Sequence, residues 1–174
     1  GGTEKVDLQK LSDAELVGLQ LHPNDWYVRH ARRLLQERAA AHGLPKACID
    51  SLAQIALENP DETRRLRGLW ALHSVGALNS NHWQRAMDDD SPFVRAWAIQ
   101  CSLQDISPSR RPNPESPILE RPGRVRLLDE LSKMAARDPS PIVRLYLASG
   151  LQRLQPHERW EVLAELLKHS EDAA

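Results

Sequence analysis

Apolar residues recur along this chain every three or four positions, in stretches broken by short polar segments rich in Pro, Asn, Asp and Gly. That alternation predicts helices joined by tight turns, and no stretch alternates with the two-residue period of a strand. "LSDAELVGLQL" opens with Ser12 three residues before Glu15, the spacing of a capping box, and predicts a helix from about 13 to 21. "HPNDW" interrupts it, because Pro23 cannot continue a helix, while Asn24 or Asp25 can cap the next one. That next helix carries Val28, Ala31, Leu34 and Leu35 on one face and ends at Gly43. A third helix begins at Pro45, with Ile49, Leu52, Ala53 and Ala56 on one face. The break "NPDETRR" leads into "LRGLWALHSVGAL". The same grammar gives "NHWQRAMDD", "DDSP" and "FVRAWAIQCSLQD", then "RVRLLDELSKMAARD", "DPSP" and "IVRLYLASGLQRL". "HERWEVLAELLKHSEDAA" closes the chain as an amphipathic helix with no second helix after it.

The turns repeat one phrase, Asp-x-Ser-Pro-x-Val-Arg, at "DDSPFVRAWAI" and "DPSPIVRLYLA". Helix pairs recurring with the spacing of Arg29, Arg67, Arg95 and Arg144 predict an all-α, right-handed α-solenoid of four pairs plus a terminal helix. The largest gap in that spacing is explained by residues 104–122, whose prolines and low apolar content predict a loop inserted into the fourth unit. Removing most of it leaves a period of about 35 residues. Residues 1–10 read as a lead-in beginning with a glycine or two left by cloning. The solenoid covers 11–169, and 170–174 is a tail. The absence of an initiating Met and the unpartnered last helix suggest a segment cut from a larger protein, with Trp160, Leu163, Leu166 and Leu167 forming a partly exposed stripe.

The repeated phrase has a structural rationale. Ser91 and Ser140 stand where a side chain caps the second helix, and Pro92 and Pro141 at the first helical position, where a missing N–H is no loss. Asp89, Asp90 and Asp138 place negative charge at the positive helix end. Arg95 and Arg144 then reach the aspartate-bearing turn of their own or a neighbouring unit, and Asp25, Arg29 and Arg67 are expected to belong to the same ladder of charge-assisted bonds.

With those phrases in register, the chain resembles HEAT-repeat proteins, whose second helix opens on an Asp-containing turn followed by Val-Arg. Val28-Arg29, Leu66-Arg67, Val94-Arg95 and Val143-Arg144 carry the likeness. "HPNDWYVRHARRLLQERAA" and "LRGLWALHSVGAL" also resemble the HEAT segments of large secreted or membrane-bound bacterial proteins that contain a sugar-dehydrogenase-like propeller and a c-type cytochrome module. That narrower resemblance implies a spacer or docking role outside the cytoplasm, with any dehydrogenase activity in parts not present here. No Cys-x-x-Cys-His occurs in this chain.

Composition adjusts this picture in few places. The 23 basic and 24 acidic side chains nearly cancel, which opposes a broad polyanion-binding surface. It also weighs against the DNA-glycosylase activity of some HEAT-like solenoids, which use a strongly basic groove. Cys48 and Cys101 lie in apolar helical stretches and read as buried thiols. The run Asp88, Asp89, Asp90 lacks the Gly and Glu of a calcium loop. No histidine pair has the i, i+4 spacing of a zinc motif, and no nucleophile elbow, phosphate loop or dinucleotide fingerprint occurs. The expectation is a non-enzymatic scaffold with no metal or cofactor, partnered by protein or by neighbouring domains and not by nucleic acid or membrane. Aromatic residues and arginine dominate binding hot spots, and the candidate interaction surface is Trp70, Arg95, Trp97, Arg144 and Tyr146.

Overall fold

The computed structural model describes residues 7–105, 121–169 and 172. Among them the chain is all helical, with α1 Asp13–Gly18, α2 Asp25–His42, α3 Lys46–Glu58, α4 Glu62–Ser74, α5 Ser80–Met87, α6 Pro92–Asp105, α7 Arg121–Arg137, α8 Pro141–Gly150 and α9 Trp160–Leu166. The helices divide into two compact units, residues 1–78 and 79–174. No helix among the described residues is long and apolar enough to cross a membrane.

In the first unit α1 pairs with α2 and α3 with α4, and the pairs stack like on like, α1 against α3 and α2 against α4. Local chemistry sets each helix end. Ser12 Oγ accepts from the Glu15 N–H at 3.3 Å, and Glu15 Oε2 accepts from the Ser12 N–H at 2.7 Å, so two otherwise unpaired N–H groups satisfy each other's residue. Gly43 ends α2 with φ +77°, a left-handed conformation that costs glycine little. The core is Leu16, Val28, Ala31, Leu35, Leu52, Ala56, Leu69 and Leu72. Cys48 is buried with them, and burial holds its thiol pKa above the ordinary value. The α3 and α4 backbones approach closely at Gly68, where an added Cβ would stand 2.5 Å from the Ala56 nitrogen. The lead-in is partly built into this unit: Leu8 is buried in a 3-10 turn, and Arg38 donates to the Gln9 carbonyl and to Asp13.

In the second unit α5 pairs with α6 and α7 with α8; α6 packs on α8, and α9 packs on α7 and α8. Trp83, Val94, Ile99, Leu103, Leu127, Leu131, Val143 and Leu147 are buried, as is Cys101. The inserted loop expected at 104–122 falls mostly outside the described residues. Its ends belong to helices, since α6 runs to Asp105 and α7 starts at Arg121. On α9 the buried residue is Val162, while Trp160 and Leu167 are 67% and 74% exposed.

One ion pair contributes to the acid response of this unit. Arg124 on α7 grips Glu158 with Nε and Nη2 at 2.6 and 2.7 Å, and the Gln155 N–H adds a bond at 2.8 Å. The Arg124 hydrogen bond holds the Glu158 carboxyl below its usual pKa. A carboxylate depressed in the folded state stabilises fully above its unfolded pKa and loses that contribution as pH falls through the folded value. The melting temperature is therefore expected to hold through neutral pH and fall on acidification below about pH 4.3, the unperturbed glutamate value. Glu158→Gln should show a smaller acid-induced drop in a thermal-melt series over the same range.

Candidate functional site

All four second helices are entered by one local device. The residue two before the cap accepts the cap's own N–H: His22 Nδ1 from Asn24 at 3.0 Å, Asn59 Oδ1 from Asp61 at 3.0 Å, Asp89 Oδ1 from Ser91 at 2.8 Å, and Asp138 Oδ1 from Ser140 at 2.9 Å. Such a bond closes a turn without backbone pairing. The cap side chain then accepts an N–H of the first turn, Asn24 from Trp26, Asp61 from Arg64 and Ser91 from Val94. Ser140 departs from the expectation, because its side chain makes no cap bond. Its turn is closed instead through Asp138, whose carboxylate holds the Ser140 N–H and whose carbonyl accepts from Arg144 Nη1 at 2.8 Å.

Arginine four residues past the cap completes the device. Arg95 Nη1 donates to the carbonyls of Asp89 and Asp90, Arg144 Nη1 to that of Asp138, and Arg65 Nη1 to those of Asn59 and Pro60. The rest of the guanidinium reaches forward along the second unit. Arg95 grips Asp138 with Nε at 2.8 Å and Nη2 at 2.9 Å, and Arg144 grips Asp172 at 2.5 and 2.6 Å. The Asp138 hydrogen bond raises the Arg95 pKa, and the Arg144 bond lowers that of Asp172. One side chain thus ties its own turn to a later one, with the bidentate geometry that guanidinium and carboxylate share.

Of the expected set Arg29, Arg67, Arg95, Arg144, only Arg29 is corrected; Arg67 reaches the aspartate-bearing turn of the neighbouring pair as expected, though from a later helical position. Counted from the cap, Arg29 lies one position later than Arg95. It points outward, 3.9 Å from Asp25 with most of its side chain exposed. Arg67 lies two positions later and reaches back, donating to Asp25 at 2.6 Å and to the His22 carbonyl at 2.9 Å. Asp90 contributes its carbonyl at an exposed position. Alignment on the cap residue, in place of the Val-Arg pair, would have identified Arg65.

Burial divides the candidate interaction residues. Arg144 is 6% exposed and the Arg95 side chain 13%, so both are committed to the ladder and are removed from the surface. Trp70, Trp97 and Tyr146 are half-buried on α4, α6 and α8. Trp97 and Tyr146 meet edge to face with centroids 6.1 Å apart. Trp83, on a first helix, is fully buried. A second feature was not legible in the sequence. Trp26, 51% exposed, stacks on His30 at 4.0 Å beside a cavity of about 330 Å³ lined also by Leu8, Leu34, Arg33 and Glu37. Helical spacing places Trp26 and His30 together, but only the tertiary fold brings Leu8 to them. No group of three or more His, Cys, Asp or Glu able to hold a metal occurs among the described residues.

Comparison of the chain with family models, with curated proteins and with solved structures returns no match.

Proposed function

We propose that this chain is a non-enzymatic protein-interaction scaffold of the HEAT-like α-solenoid type, which contacts protein partners through the outer faces of its second helices. The observation that supports this most is the Trp97–Tyr146 pair, two half-open aromatic side chains on neighbouring second helices. Aromatic residues at partly covered positions supply large contact area at little conformational cost, which is why they dominate interfaces. The ladder beneath them fixes α6 against the entry to α8 through Arg95 and Asp138, so the face is already ordered before binding.

The test is a binding measurement on the whole chain with a partner recovered from an extract of the source and then purified. Trp97→Ala should weaken binding roughly thirtyfold, about 2 kcal/mol, the scale of an aromatic hot spot. Trp160→Ala removes a similar aromatic surface from α9 and should change little. Equal effects of the two substitutions, or a reaction turned over by the chain, would defeat the reading.

A further inference from the structure

Arg32, on α2, is a guanidinium of the first unit that makes no ion pair with a carboxylate among the described residues. Its side chain is partly covered, and its Cζ sits 5.5 Å from the centroid of the Trp70 ring on α4. Nη1 is buried with no hydrogen-bond partner among the described residues. The neighbouring arginines are provided for: Arg33 with Glu37, Arg38 with Asp13 and Arg67 with Asp25. Asp25 is also the carboxylate that Arg29 approaches, at 3.9 Å. Asp25 is thus taken by Arg29 and Arg67, and around Arg32 three guanidinium groups face one carboxylate, a surplus of two positive charges (three minus one) in a chain whose net charge is −1. Burial first, and then repulsion by Arg29, lower the Arg32 pKa. A partly desolvated cation without a counter-charge is costly. The indole face attracts it and fixes its plane without neutralising it.

We infer that Arg32, held against Trp70, is an anion-recognition point that receives a side-chain carboxylate from an acidic segment of a protein partner. The inference rests on the second-helix faces being protein-binding, and it names the chemistry of what binds the first of them. A carboxylate matches the planar fork of guanidinium. A nucleic-acid backbone requires a line of cationic contacts along successive phosphates, and here two of the three guanidinium groups are already engaged with Asp25. The half-open Trp70 offers apolar contact to residues flanking the acidic one.

The experiment uses the full chain, a short peptide of alternating Glu and Leu, inorganic phosphate and a single-stranded oligonucleotide, each titrated calorimetrically at low and high salt. The peptide should bind in a salt-sensitive manner and raise the melting temperature. Arg32→Gln should weaken it at least tenfold and abolish that rise, without lowering the melting temperature of the free protein. Arg32→Lys should recover part of the affinity at most, because an ammonium lacks the fork. Tighter binding of the oligonucleotide than of the peptide, lost in Arg32→Gln, would overturn the protein-partner assignment, and binding of phosphate alone would do the same. Unchanged peptide binding in Arg32→Gln together with a lowered melting temperature would make Arg32 a packing residue. Absence of binding by any of the probes would overturn the inference as well. If Trp97→Ala abolishes binding of the purified natural partner while Arg32→Gln leaves it intact, the inference falls and the scaffold reading stands.

Discussion

Replacing Asp138 with alanine is expected to lower the unfolding free energy by about 3–5 kcal/mol, the range for removing one partner of a buried ion pair. Asp138 is 8% exposed and serves four bonds at once. Its carboxylate takes both Nε and Nη2 of Arg95 and the Ser140 N–H, and its carbonyl takes Arg144 Nη1. Alanine leaves the carbonyl bond in place but strands the Arg95 cation where little water reaches it, with its side chain 13% exposed. Asparagine retains an acceptor for the Ser140 N–H, so Asp138→Asn should cost less than alanine. Arg29→Ala provides the contrast, because an exposed pair at 3.9 Å contributes at most about 0.5 kcal/mol. Urea unfolding of the three variants at neutral pH measures all of this. A similar loss from Arg29→Ala and Asp138→Ala would show that the ladder register drawn from the cap residues is wrong.

Trp83→Ala should cost about as much, roughly 3–5 kcal/mol, through the cavity it leaves in the second unit. Trp83 is fully buried on α5, which packs on α6. Its Nε1 is buried without a hydrogen-bond partner among the described residues, so the indole contributes volume more than polarity. Trp83→Phe keeps most of the volume and removes the unpaired N–H. It should cost only about 1 kcal/mol, in the range of volume-conserving core changes. Thermal unfolding of both variants, followed by circular dichroism, tests the contrast. Equal losses would mean that the Nε1–H is engaged after all.

The helices, their caps at Ser12, Asn24 and Ser91, and the glycine that ends α2 were legible because each depends on residues close in sequence. The ladder was legible in kind, since Asp-x-Ser-Pro-x-Val-Arg places a guanidinium one turn past an acidic turn. Its membership was legible only in part: Arg67, Arg95 and Arg144 belong to it, and Arg29 does not. Val28-Arg29 copies the Val-Arg pair but follows its cap by one extra residue, and a shift of one position rotates a helical side chain by about 100°. Asp172 was assigned to a tail, and nothing local marks it as the partner of Arg144, 28 positions away. Arg32 was missed for a related reason: its isolation depends on Trp70 and Arg67, on another helix, and on Asp25 being already engaged. Patterning locates what a helix does for itself, whereas unbalanced charge emerges only when two helices are laid together.

The repeated phrase is architecture, in which a single arginine ties its own turn to a later one. A double-mutant cycle between Arg95 and Asp138, from the unfolding free energies of Arg95→Ala, Asp138→Ala and the double variant, measures it. The expected coupling is about 2–3 kcal/mol, because either single change removes the bidentate pair of 2.8 and 2.9 Å and the second then has little left to lose. Additivity of the two single effects to within about 0.5 kcal/mol would contradict the claim.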